Sequence, residues 1–203
     1  AMSSNLKELL KDYKPYINGH QNMKKASVLI PIVKKNNEDF ILFEVRSKTL
    51  RSQPNEISFP GGMIEKNETP ITACIRETCE ELGTIDSNIE IVSELDLFLS
   101  PADIIIHTFV GFIHDLESLN PNKDEVDHIF LVPLSHLLEN EPLRYKNEVR
   151  VVPNKNFPYD LIPNKKNYKF KSGNYDSLFY KYDDYVIWGI TGKILENFLN
   201  LIK

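Results

Sequence analysis

Residues 62–84 read GMIEKNETPITACIRETCEELGT, a glycine-led loop running into a segment that carries Arg76, Glu77, Glu80 and Glu81. The spacing predicts a helix. At about 100° per residue, Glu80 and Glu81 fall on either side of Glu77, so three carboxylates share an arc of roughly 100°. Ile71, Ile75, Cys79 and Leu82 cluster opposite them and are expected to form the buried stripe. An acidic face of one sign repels itself unless it is solvated or something cationic sits against it. A hard divalent ion such as Mg2+ takes carboxylate oxygens and water, and commonly bridges protein carboxylates to substrate phosphates. On the glutamates alone, a solvated surface is the better reading. Around them, however, Gly61 and Gly62 after Pro60 permit a tight turn, Glu68 precedes the helix, Arg76 adjoins Glu77, and Gly83 stands where a C-cap glycine belongs.

Composition sets bounds on the rest. The 203 residues, 41% hydrophobic, suffice for one well-buried domain over 1–203, with Ala1 ahead of Met2 read as a remnant of cloning. A net charge of −5 and a pI near 5.6 argue against a general nucleic-acid binder, because no long basic stripe offers counterion release. The two cysteines, Cys74 and Cys79, diverge on a helix and are read as reduced and structural, which points to the cytoplasm. No apolar run reaches membrane-spanning length, no signal-peptide pattern opens the chain, and no membrane partner is expected.

Outward from the quoted segment, residues 3–13 suggest a starting helix, Ser27–Val33 and Phe40–Val45 strands, and Lys48–Pro60 a binding loop. Ile89–Leu99 and Ile104–Ile113 are β-rich runs across a turn-like Ser100-Pro101-Ala102-Asp103, expected to pair or neighbour each other. A short helix is predicted over Pro133–Glu139, and strands over 143–152 and 168–182. A packed amphipathic helix is expected from Ile187 onward, on Ile187, Ile190, Ile194, Leu195, Phe198 and Ile202. Pro153–Lys171, rich in Pro, Asn and Lys, reads as a long loop or an insertion. The pattern implies an α/β fold, with a mixed β-sheet between helical layers.

Gly62, five residues, Glu68, seven residues, Arg76-Glu77, two residues, Glu80-Glu81, one residue and Gly83 together resemble the Nudix box of hydrolases that act on nucleoside-diphosphate-linked substrates. Thr78 and Thr84 stand where that family usually has aliphatic residues. Upstream, Arg46-Ser47, Arg51 and Phe59-Pro60-Gly61-Gly62 are similar to the motif of the coenzyme A pyrophosphatase branch, with Asn55 in place of a glycine. Asn tolerates a left-handed backbone better than most residues, so the turn is expected to survive. Glu125-Val126 with Phe130–Leu134, and Val186–Thr191, also resemble that branch. The resemblance implies an α/β/α sandwich and a Mg2+-dependent hydrolase, with Mn2+ able to substitute, that splits coenzyme A or a derivative into 3′,5′-ADP and 4′-phosphopantetheine. It implies that Glu77, Glu80 and Glu81 hold metal, that Arg76 orients Glu77, and that Glu68 supports the loop or a second metal. It alone suggests a homodimer.

Glu125 reads either as an extra ligand or base, or as a surface acid near Lys123 and Asp124. Arg46 and Arg51 offer fork-shaped donors for phosphate, against pairing with Glu44 or Glu56. The five histidines form no i, i+4 ligand pair, and His107 is read as a satisfied strand residue. Trp188 and the Tyr175–Tyr185 stretch either stack on a base or pack the last helix to the sheet. Competing readings are hydrolysis of ADP-ribose or NADH by the same chemistry, and a non-catalytic nucleotide-sensing module.

Overall fold

Two asparagines start the sheet. Asn36 and Asn37 sit at φ 53° and 61°, the pair of left-handed residues that a tight hairpin turn requires, and they join β1 (Lys24–Lys35) to β2 (Glu38–Arg46). The computed structural model describes residues 2–203. Its further strands are β3 (Ile57–Ser58), β4 (Gly61–Met63), β5 (Ile89–Glu94), β6 (Phe98–Ser100), β7 (Ile104–Ile113), β8 (Val126–Pro133), β9 (Leu143–Val149), β10 (Gly173–Tyr182) and β11 (Tyr185–Ile187). Its α-helices are α1 (Met2–Leu10), α2 (Pro70–Leu82), α3 (Leu134–Glu139) and α4 (Gly189–Ile202).

β1 to β8 form one mixed sheet, in which β1 pairs parallel with β7 along one edge. Along its other edge β1 changes partner midway. Ile32–Lys35 pair with β2, whereas Ala26–Val28 pair with β4. β2 is bonded to β8 along its other edge from Phe40 onward, and beyond that point β3 takes the place of β1. The sheet is therefore split between β2 and β4, and Glu44, Arg46 and Gly61 lie beside the split. β9, β10 and β11 make a separate three-stranded antiparallel sheet.

Strand alternation sorts β1 and β2 onto two faces. Ala26, Ile30, Ile32, Ile41, Phe43 and Val45 join the larger apolar core with Leu178 and Tyr180 of β10 and Ile194, Leu195 and Phe198 of α4. Leu29, Val33 and Leu42 face the other way, into smaller clusters with Cys74 and Leu82 of α2. Helices thus cover both faces, as the alternation of elements implied. The fold agrees with the expected α/β sandwich.

Several boundaries differ from expectation. The 89–99 run breaks into β5 and β6, both antiparallel to β7. Ile187 ends β11 rather than opening the last helix, because Gly189 at φ 64° turns the chain first. α1 forms where a starting helix was predicted, but Leu6, Leu9 and Leu10 stay exposed. Residues 153–171 hold two single 3-10 turns, with Phe157, Tyr159, Tyr168 and Phe170 meeting edge to face.

α2 begins and ends under strict local control. Thr69 accepts a hydrogen bond from the Thr72 amide, Pro70 takes the first turn, and Ser27 of β1 donates to the Pro70 carbonyl at 2.7 Å. At the far end Gly83 is left-handed at φ 60°, and a Cβ there would lie 1.8 Å from the Asn120 carbonyl oxygen. Gly83→Ala is therefore expected to destabilise the protein by about 2 kcal/mol or more, adding steric overlap to backbone strain. Urea unfolding measures this, with Gly173→Ala, where a new Cβ meets nothing within 4 Å, as the near-neutral control.

Candidate functional site

The site forms where the N-terminal strand of the glycine loop, β4, meets α2. Ser27 pairs with Gly62 and Val28 with Gly61, which holds the two glycines flat against the sheet edge. A Cβ on Gly62 would sit 2.4 Å from the Glu77 carboxyl carbon, so any side chain there would push that carboxylate out of its place. The Gly61 amide donates to Glu81 Oε2 at 2.8 Å.

Arg76 organises the outer side. Its Nε and one terminal nitrogen clamp both oxygens of Glu68 at 2.8 and 3.0 Å. Its other terminal nitrogen donates to Glu77 at 2.7 Å and reaches Glu80 at 3.5 Å. A bond to the Met63 carbonyl ties the same guanidinium to β4. A bidentate fork of this kind fixes direction as well as charge. Arginine beside it, helped by the Glu65 amide, holds the Glu68 carboxyl down at about 2, and Glu68 in turn raises the guanidinium still further.

The three glutamates share one side of α2, as expected, but differ in burial across it. Glu80 is exposed, Glu77 lies against Gly62, and Glu81 is buried. The fully buried residues of α2 are Ala73, Cys74, Thr78, Glu81 and Leu82; of the expected stripe Leu82 is buried, Ile75 and Cys79 are partly buried against a core cluster, and Ile71 alone is turned out. Ile71 is 41% exposed. Glu81 turns inward to accept from the Gly61 amide, while Gly62 leaves the room that the Glu77 carboxylate occupies. Thr78 tolerates complete burial because its hydroxyl donates back to the Cys74 carbonyl at 2.7 Å. Among the described residues, no three or more His, Cys, Asp or Glu side chains converge on one point in a metal-binding arrangement.

Glu44 joins this site without having been singled out in the sequence. It lies on β2 on the α2 side, 1% exposed, and its Oε1 has no hydrogen-bond partner. Burial, and then the neighbouring Glu81, push its carboxyl well above the usual range. Burial likewise lifts Glu81 to about 7, against the Gly61 bond and with the charges of Glu77 and Glu125 adding to the rise. The signal for Glu44 was a lone acid in the otherwise apolar run Phe40–Val45, in a strand buried on both faces.

Arg46 and Arg51 part company. Arg46 lies beside the split, close enough to lower the acidity shifts of Glu44 and Glu81, and its Nε is buried without a partner. Among the described residues neither arginine forms an ion pair, so the expected alternatives at Glu44 and Glu56 are not realised. Arg51 is exposed on the loop and does not line the cleft that Arg46 shares with Gln53, Gly61, Gly62 and Trp188. The loop itself closes as expected at Asn55, which is left-handed at φ 62° and donates its amide to the Arg46 carbonyl. Glu125 is half-buried, accepts from Asn122, and anchors Ser47 through its carbonyl. His107 pairs with Glu94 at 2.7 Å, and Trp188 stacks on Phe179 while remaining half-exposed. Both cysteines are free.

The chain matches the family described as NUDIX domain over residues 23–156. It is 36% identical to the peroxisomal coenzyme A diphosphatase of Mus musculus across 59% of this chain and 51% of that one, so it spans about half the length of that relative. It is 33% identical to Nudix hydrolase 3 of Caenorhabditis elegans across 87% of this chain and 72% of the relative. A MutT/nudix family protein from Enterococcus faecalis, 14% identical, has the same fold with a TM-score of 0.52, covering 100% of this chain and 70% of that one. Among the described residues, no helix is long and apolar enough to cross a membrane.

The buried acid pair has a pH signature in metal-free protein. A folded-state value above the unfolded one means that the native chain holds more protons between about pH 4.5 and 7, so stability falls as pH rises through that window and levels off above it. Glu81→Gln keeps an acceptor for Gly61 and removes the charge. It is expected to raise the melting temperature at pH 8 and to lose that advantage near pH 5, as read by thermal denaturation in a chelator.

Proposed function

The chain belongs to the NUDIX family, and from that premise we propose that it is a metal-dependent hydrolase of the pyrophosphate bond in coenzyme A or its derivatives, releasing 3′,5′-ADP and 4′-phosphopantetheine. The observation that carries the reading is the set of carboxylates pressed against Gly61 and Gly62, with a charged guanidinium, Arg46, left unpaired beside them. The printed activity of the mouse relative supports coenzyme A as the substrate. Free Cys74 and Cys79 support a reducing setting such as the cytoplasm.

The donor chemistry suits a hard divalent cation, and Glu77, Glu80 and Glu81 would have to turn toward one another to converge on it. The donors are carboxylate oxygens, the glycine loop leaves space that a Cβ would fill, and Glu44 Oε1 is buried without a partner. Glu77, Glu80 and Glu81 would hold Mg2+, or Mn2+ in its place, with Glu125 near enough to contribute and Glu68 acting through Arg76. Such an ion, when bound, neutralises phosphoryl charge and makes a bound water more acidic.

The chain's own groups supply the remainder. Arg76 keeps Glu77 turned toward Gly62, since the guanidinium is itself fixed by both oxygens of Glu68 and by the Met63 carbonyl. One of these carboxylates would accept a proton from the attacking water, and burial suits Glu81 to this role, because raising it to about 7 makes its ionised form a stronger base than an exposed carboxylate. Arg46 presents its guanidinium to a substrate phosphate. Hydrolysis then needs little more from the protein than position and charge.

Glu80→Gln is expected to lower metal-dependent turnover of coenzyme A by a hundredfold or more while leaving the melting temperature within a few degrees, because the side chain is exposed. Near-normal turnover would overturn the metal assignment. Rates measured side by side for coenzyme A, dephospho-coenzyme A, ADP-ribose and NADH test the substrate. Coenzyme A is expected to lead, with at least a tenfold loss when the 3′-phosphate is removed.

A further inference from the structure

β9 is a regular strand with one side uncovered. It pairs with β10 over seven consecutive residues without a bulge, has no second strand partner among the described residues, and is exposed at every position. A free edge of that length presents a row of unpaired amides and carbonyls to any matching strand, and proteins blunt such edges with bulges, prolines, charge or brevity. Other edges of this fold are blunted in those ways. β5 is broken by a bulge between Ile91 and Ser93, β8 ends at Pro133, and β3 and β11 run for two and three residues. β9 carries an apolar row instead. Strand alternation puts Leu143, Tyr145 and Val149 on one face, 47%, 60% and 41% exposed, with Tyr145 set edge to face on Phe179 of β10.

The charges of β9 decide what fits it. Arg144 is spent within its own chain on Asp176 and Glu196, and Glu148 holds Arg150 at 2.6 Å, whereas Lys146 has no ion pair among the described residues. We propose that β9 pairs antiparallel with β9 of a second copy of this chain, about a two-fold axis at Asn147, joining two three-stranded sheets into one of six strands. A two-fold pairing of this kind sets one residue opposite itself. With the axis at Lys146 two ammonium groups would meet, at Glu148 two carboxylates would, and at Tyr145 the lysine would face Arg144; like charges directly opposite are destabilising. At Asn147 an amide that both donates and accepts meets its own copy. Its neighbours then complement each other, since Lys146 faces Glu148 and Tyr145 faces Val149, each on both sides of the axis. Continued past the strand end, the same register lays Leu143 opposite Val151, which is 55% exposed. Arg150 comes opposite Arg144, whose charge Asp176 and Glu196 already offset. The lysine that repels a copy in other registers thus selects this one. β9 bears none of the groups assigned to hydrolysis, so the proposal stands apart from the proposed reaction.

Sedimentation velocity of the full chain between about 5 and 200 µM is expected to show a reversible monomer–dimer equilibrium with a midpoint on the order of tens of micromolar, since an edge-strand contact is small. Lys146→Glu and Glu148→Lys are each expected to weaken association at least about tenfold, because two attractive pairs become repulsive, and the double variant is expected to return to within about threefold of the wild type. Glu90→Lys, which makes the same change in net charge on β5, is expected to leave association unchanged. These side chains are exposed, so melting temperatures are expected to match the wild type and to show that the variants fold. A monomer across the whole concentration range would overturn the proposal. So would a dimer that neither charge reversal weakens, a double variant no tighter than the single ones, or a loss with Glu90→Lys as large as that with Glu148→Lys.

Discussion

A carboxylate taken out of water beneath a helix is the constraint around which the site is arranged. Glu81 has one strong donor, the Gly61 amide at 2.8 Å, and a second acid, Glu44, for a neighbour. A hydrogen bond to a charged group contributes on the order of 1.5–3 kcal/mol, while moving an ionised carboxylate into the interior costs several. Desolvation wins, and the group rises to about 7. The surrounding sequence makes that burial tolerable. Gly62 removes the Cβ that would strike Glu77, Thr78 closes its own hydroxyl onto the helix, and Arg76 draws the remaining acids outward.

The division of the sheet gives the two halves of the site different solvents. On the α2 side, β1 and β2 present acids and small apolar clusters to the helix. On the other side, the same strands join the larger core closed by α4 and β10. The split between β2 and β4 connects the two, and Arg46 stands beside it. Charge is thus gathered at one surface and apolar area at the other, only the thickness of a strand apart.

The sequence was most readable where one residue meets one local demand. Gly83 as a left-handed cap, Asn55 as a left-handed substitute for glycine, and Arg76 as the partner of Glu77 could all be read from chemistry within a turn or two. Helical phase was less readable. Hydropathy put Ile71 inward and Glu81 outward, and the structure does the reverse, because Gly61 and Glu44 approach from elsewhere in the chain. β3 and β4 are too short to show a period of two, and β8 was noticed only as a likeness. Glu44 left a local sign, a lone acid in an apolar strand, but its meeting with Glu81 and the cleft both depend on contacts between distant segments that no window of residues encodes.

The parallel pairing of β1 with β7 joins Lys24 to Ile104, and the whole of the glycine loop and α2 lies in the chain between them. Closing so long a loop must precede any reward from the pairing, which makes such contacts late and slow in folding. Glu44 on β2 and Glu81 on α2 both lie inside that loop, so what brings their charges together is the docking of α2 on the sheet, and their repulsion is met only where that docking shuts water out from between them.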